Sequence, residues 1–211
     1  MIYEKTITNL TDSEYMLNND FIITLAWPKG KIYSPGGWYD KILGDTTKYR
    51  IGHTALVIVN SRTNKLHYFD FGRYHTPVGF GRVRDIETDP NLEIKTIAEI
   101  DINSIKNIEE IIHQINQSIG QEGPLFYKTL KNANFIKSFD FSKKKQNEGA
   151  IQFGIFSNSS LNCGRFVYSV IKKSNLRRFV IFKVVLYDVL LRVPVFKYFP
   201  IRFYFNKYRK S

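Results

Sequence analysis

One cysteine stands in the chain, within Leu161-Asn162-Cys163-Gly164-Arg165-Phe166-Val167. The polar run Ser157-Asn158-Ser159-Ser160 precedes it, and Phe166, Val167, Val170 and Ile171 follow at helical spacing. Serine and asparagine ahead of such a series are helix N-cap chemistry, so the pattern predicts Cys163 in the first turn of a helix. There the positive end of the helix dipole favours the thiolate, the nucleophilic form of cysteine. A cysteine nucleophile needs a base within hydrogen-bond reach, and that base needs an orienting group. The candidate base is His53, in Ile51-Gly52-His53-Thr54-Ala55. A lone cysteine is more often a small buried thiol of the core. The upstream histidine is what weighs against that reading.

The elements that must position these groups begin with a hairpin. Thr54 to Val59 is rich in β-formers, Asn60 to Lys65 is turn chemistry, and Leu66 to Phe71 is a second strand ended by Gly72. With the turn near Arg62-Thr63, paired residue numbers sum to about 125. Ala55 then faces Asp70 and His53 faces Gly72, which puts Asp70 on the face of His53 and His67 on the other. A one-residue slip reverses this, so Asp70 and His67 both stand as candidates for the third residue, with His75 a weaker one.

The remaining expectations are coarser. Phe21 to Trp27 reads as a buried strand, stopped by Pro28-Lys29-Gly30, and Tyr33 to Asp40 as an aromatic loop of the kind that lines a site. Arg73 to Arg84 holds Gly79 and Gly81, but no phosphate-loop pattern. Leu92 to Ile100 is expected to add a strand. Ser104 is expected to cap a helix whose isoleucines at 105, 108, 112, 115 and 119 form one apolar face, with His113 on its surface. Phe126 to Gln152 reads as a strand pair with an exposed Lys143-Lys144-Lys145 loop.

With 211 residues, 43% of them hydrophobic, the chain suits a single domain with a full core. One cysteine excludes an intrachain disulfide framework. No His-Glu-x-x-His and no second cysteine are present, so neither a metal nor a cofactor is expected. The N-terminus lacks a basic stretch leading into an apolar one, which points to a cytoplasmic protein. Its net charge of +12 is uneven. Residues 165–211 carry twelve bases against the single acid Asp188, whereas the preceding 164 carry nineteen bases and eighteen acids. Most of the excess lies in a basic, aromatic extension over about residues 176–211, with nine bases and one acid. Its apolar run from Phe179 to Leu191 is too short and too charged to span a bilayer, which needs about 20 apolar residues. Either it is a core helix with a basic terminus, or it rests on an anionic membrane surface. No nucleic-acid module is recognisable, and basic charge alone is non-specific.

A strand-borne Gly-His, a hairpin, and a late Asn-Cys-x-x-Phe-Val resemble the lecithin–retinol acyltransferase branch of the NlpC-type papain-like hydrolases. That branch is circularly permuted, with the histidine strand before the cysteine helix. The resemblance covers about Ile51 to Lys172, and the segment Phe69-Asp70-Phe71-Gly72-Arg73-Tyr74 resembles one carried by a bacterial family. It implies an α+β, papain-like fold, a central antiparallel sheet packed on the cysteine-bearing helix. It also implies Cys163 as nucleophile, His53 as base, and a polar third residue on the strand after the histidine strand. The acyltransferases use a second histidine there. The expected activity is hydrolysis or transfer of an acyl group from a peptide or lipid amide or ester, through a thioester. The amide of Cys163 would help hold the oxyanion; Asn162 either contributes to it or caps the helix. The alternatives are a catalytically inactive binding module of the same fold, or a basic protein associated with membrane or nucleic acid.

Overall fold

The computed structural model describes residues 19–30, 32–33, 44–45, 48–49, 52–119, 121, 123–154, 160–184 and 205–208. Most of the expected aromatic loop, residues 34–40, and the tail over residues 185–204 lie outside them. The strands are β1 (Asp20–Trp27), β2 (Ile32–Tyr33), β3 (Gly44–Asp45), β4 (Lys48–Tyr49), β5 (His53–Val59), β6 (Leu66–Gly72), β7 (Phe80–Arg84), β8 (Ile100–Asp101), β9 (Ser104–Ile105), β10 (Phe126–Ala133), β11 (Ile151–Gln152) and β12 (Asn206–Lys207). The helices are α1 (Ile108–Ile119), α2 (Phe135–Asn147) and α3 (Cys163–Lys173).

An antiparallel seven-stranded sheet runs β11-β7-β6-β5-β1-β10-β12. Helices cover both faces, which is why β1 and β5 are buried at nearly every position and read as continuous apolar runs rather than alternating ones. On one face Phe21, Ile23, Leu25, Trp27, Ala55 and Val57 pack with Ile111, Ile112 and Ile115 of α1. On the other, Ile22, Leu56, Ile58, Phe69 and Phe71 pack with Phe166, Val167, Val170 and Ile171 of α3, and Phe135 and Phe139 of α2 lie against the same cluster. The hairpin has the anticipated register, Ala55 opposite Asp70 and Ile58 opposite His67.

Three expectations are corrected. Leu92 to Ile100 makes no strand beyond Ile100: Pro90–Leu92 is a 3₁₀ turn, and the following backbone bonds elsewhere. The Thr96 amide donates to Gln114 Oε1 and the Ala98 amide to the Asn64 carbonyl. The isoleucine helix starts at Ile108, not after Ser104, because Ser104-Ile105 pairs with Ile100-Asp101 in a small ladder. Residues 135–147 form a helix where a strand pair with an exposed basic loop is predicted. Asn134 caps it by accepting from the Lys137 amide, and Lys143 is tied to Asp85 and Glu87. His113 is half-buried on α1, with Nδ1 2.5 Å from the Tyr208 hydroxyl.

Candidate active site

His53 and Cys163 are the first residues of β5 and α3. By strand alternation His53 stands on the sheet face of Ala55 and Val57, while α3 packs on the opposite face through Phe166 and Val167. The two meet because each begins its element, so they converge at the end of the sheet. Both are buried, at 1% and 5% exposure. His53 Nε2 lies 3.0 Å from Asp70 Oδ2, and the His53 side chain is also hydrogen-bonded to Cys163. With Nε2 committed to Asp70, the ring nitrogen left for the thiol is Nδ1.

The ring is further fixed by packing. Trp27, opposite His53 in the ladder, stacks on it at 5.9 Å with the planes 29° apart. The Trp27 indole N–H is anchored in turn on Asn116 of α1. Glycine at position 30 allows this closeness: a Cβ there would come 3.1 Å from His53 Cβ and 3.0 Å from the Trp27 carbonyl oxygen.

Asp70 is fully buried and densely bonded. Its Oδ2 accepts from His53, from the Tyr68 hydroxyl at 3.1 Å, from the Tyr74 hydroxyl at 3.2 Å and from Arg84 Nη2 at 2.7 Å. Arg84 Nε donates to Oδ1 at 3.0 Å, completing a bidentate clamp. Arg84 is the direct cross-strand partner of Asp70, on β7. Its guanidinium lies 3.2 Å from the centroid of the Tyr74 ring. Gly72 makes room for that ring, which a Cβ at position 72 would overlap.

The electrostatics follow from these contacts. Burial pulls the His53 imidazole towards neutrality, but the Asp70 and Cys163 hydrogen bonds outweigh it and push its pKa up to about 9. Burial works against an ionised Asp70, yet His53 and Arg84 hold its carboxyl well below the usual range. Burial, followed by the Asp70 charge, pushes the Tyr68 and Tyr74 hydroxyls well above the usual phenol range, so both remain donors. A cationic imidazole between a carboxylate and a sulfur is the charge state that stabilises a thiolate.

The other candidates fall elsewhere. His67 sits on the opposite face, its ring 5.4 Å from Phe135 and 5.0 Å from Phe139. His75 is exposed, with φ of 51°. Asn162 caps α3: its Oδ1 accepts from the Arg165 amide at 2.9 Å, and its Nδ2 donates to the Gly154 carbonyl at 3.2 Å. Sequence reading missed Arg84, Tyr68 and Tyr74. The usable signal for Tyr68 was its place two residues from Asp70 on one strand face; for Arg84 it was a base opposite an acid, once β7 is known to be a strand. Among the described residues no group of three or more His, Cys, Asp and Glu is arranged to hold a metal ion.

The profile of a family described as type VI secretion system effector TseH-like matches residues 22–178. No curated protein matches the chain. The crystal structure of a type VI secretion system effector, TseH, aligns with a TM-score of 0.55 at 20% identity, covering 75% of this chain and 78% of that one. At that identity the likeness speaks for the fold. The profile's span includes His53, Asp70, Arg84 and Cys163, and the chain belongs to the TseH-like family of type VI secretion system effectors.

Proposed function

We propose that this chain is a thiol hydrolase of papain-like type, with the histidine strand ahead of the cysteine helix, and that it acts as a secreted effector on an amide or ester bond. The observation that carries the reading is the buried His53 ring, held by Asp70 at 3.0 Å on one side and bonded to the helix-initial Cys163 on the other. The Cys163 sulfur attacks the substrate carbonyl carbon, forming a C–S bond. The carbonyl electrons move to oxygen, where the backbone amide of Cys163 at the helix N-terminus supports the oxyanion. His53 passes its proton to the leaving nitrogen or oxygen as that bond breaks, giving the thioester. Water then attacks with His53 accepting its proton, the C–S bond breaks, and the acid product leaves. An alcohol or amine in place of that water makes the same site an acyltransferase. Asp70 keeps the ring oriented throughout and stabilises its charged form whenever the ring holds the proton. Neither a metal nor a cofactor takes part in these steps.

Family membership supports an effector role, and an effector of a secretion system acts on a target beyond the cell that makes it. The expected cytoplasmic location then describes the site of synthesis. The test is expression of the chain in susceptible bacteria, with and without export to the periplasm, together with turnover of peptide-amide and acyl-ester substrates. Cys163→Ala and His53→Ala should each abolish toxicity and turnover while retaining the parent circular dichroism spectrum, because nucleophile and base act as a unit. Full activity in folded Cys163→Ala removes the hydrolase reading.

A further inference from the structure

A second feature lies at the far end of α3. The thirteen residues from Lys172 to Val184 contain five bases and no acid. Asn175, at φ 61°, ends the helix path, and residues 178–184 are helical again. This second helical piece is not a loose terminus. Leu176, Ile181 and Val184 are buried in the core cluster that contains Phe166 and Val170. Lys172 and Lys173 at the end of α3, and Arg177 and Arg178 where the second piece begins, are all exposed, and on that piece Phe179 is 65% and Phe182 63% exposed. Their i, i+3 spacing puts the two rings on one side of the helix.

We infer that this face binds an anionic membrane surface, the two phenyl rings entering the headgroup boundary and the bases meeting lipid phosphates. Two large rings left in water carry a standing hydrophobic cost that an apolar boundary relieves. The absence of any acid in the stretch supplies the charge complementarity. A nucleic acid would satisfy the bases too, but stacking needs an open ring face, and Lys183 Nζ already lies 4.3 Å over Phe179. The core anchor at Ile181 and Val184 holds the rings outward, as an interfacial helix requires. Cys163 opens α3 and Lys173 closes it, about 15 Å further along at 1.5 Å per residue, and this face follows that far end. Membrane binding therefore stands or falls independently of the thiol chemistry.

The test uses the full chain and vesicles of phosphatidylcholine, with or without phosphatidylglycerol. Sedimentation with the anionic vesicles at low salt is expected, weakening as salt rises, with little binding to neutral ones. Phe179→Ser/Phe182→Ser and Arg177→Glu/Arg178→Glu, each with an unchanged circular dichroism spectrum, should each lower the partition coefficient on the order of tenfold. Cys163→Ala should bind as the parent does. Failure of the parent to sediment with anionic vesicles overturns the inference. So does undiminished binding by the paired phenylalanine variant, or retention of single-stranded DNA more strongly than vesicles.

Discussion

His53 and His67 lie on the two strands of one hairpin, the first buried and the second half-buried, yet they are driven in opposite directions. For each, burial is the largest influence and favours the neutral ring. His53 is nevertheless pushed up to about 9, because Asp70 and Cys163 accept its charge. His67 is lowered, because burial is joined by the Lys65 charge and its ring neighbours are Phe135 and Phe139. The difference is one of strand alternation. Asp70 shares a face with Tyr68 and lies across from Arg84, whereas His67 is turned towards the aromatic side of α2. A buried histidine becomes a usable base through its neighbours, not through its depth.

The sharpest way to break the contrast is to remove the carboxylate. Asp70→Asn leaves His53 buried with its main partner neutralised, so its pKa should fall towards the range of His67. Turnover should drop by about 10³–10⁴-fold, as expected when the orienting acid of a triad is lost. Arg84 would also lose its counter-charge, and breaking a buried pair costs about 3–5 kcal/mol, measurable as a lower urea midpoint. Turnover within tenfold of the parent would mean that Asp70 is a structural anchor for Arg84 alone.

The second effect is on pH. The raised His53 contributes stability that is complete below its ordinary value of 6.5 and is lost as pH rises through about 9. Activity that requires the imidazolium–thiolate pair should therefore show an alkaline limb near pH 9. In Asp70→Asn that limb should move to lower pH. A limb that stays in place assigns it to another group.

A smaller effect is expected from Arg84→Lys, which keeps the charge but cannot form the two-point clamp on Asp70. Turnover should fall on the order of tenfold. An acid limb of the activity profile set by protonation of Asp70 should move to higher pH, since the hydrogen bonds that hold that carboxyl down are weakened. Loss of stability with no movement of that limb would make Arg84 a packing residue only.

These sites were unequally legible in the sequence. The hairpin register followed from its turn residues, and with it the pairing of His53 with Asp70, because one-residue alternation is a strong constraint. The clamp did not follow, because the glycine-bearing stretch from Arg73 to Arg84 shows no strand pattern, and without β7 there is no reason to set Arg84 opposite Asp70. Helix α2 was hidden for a different reason. Its buried positions include Ser138 and Ser142, whose hydroxyls bond the Asn134 and Ser138 carbonyls one turn back. A stripe of serines can face a core once its hydroxyls are satisfied locally, but it carries no hydrophobic period to be read.

The smallest effect tests the other half of the contrast. His67 makes ring contacts with Phe135 and Phe139 and lies outside the Cys163 site, so His67→Gln should leave turnover within about twofold, as for a residue remote from the chemistry. Its signature should appear in stability against pH instead. The folded protein holds His67 below its ordinary value, so below 6.5 the unfolded chain binds a proton that the folded chain resists. That difference costs the parent stability as pH falls from 6.5 through the lowered folded pKa. Glutamine does not titrate, so the variant should lose less stability than the parent between pH 7 and pH 5. Urea midpoints at the two pH values decide the matter. If parent and variant lose stability equally, the acid sensitivity belongs to the carboxylates. If turnover falls with the substitution by as much as in Asp70→Asn, then His67 serves the thiol site and the contrast between the two faces fails.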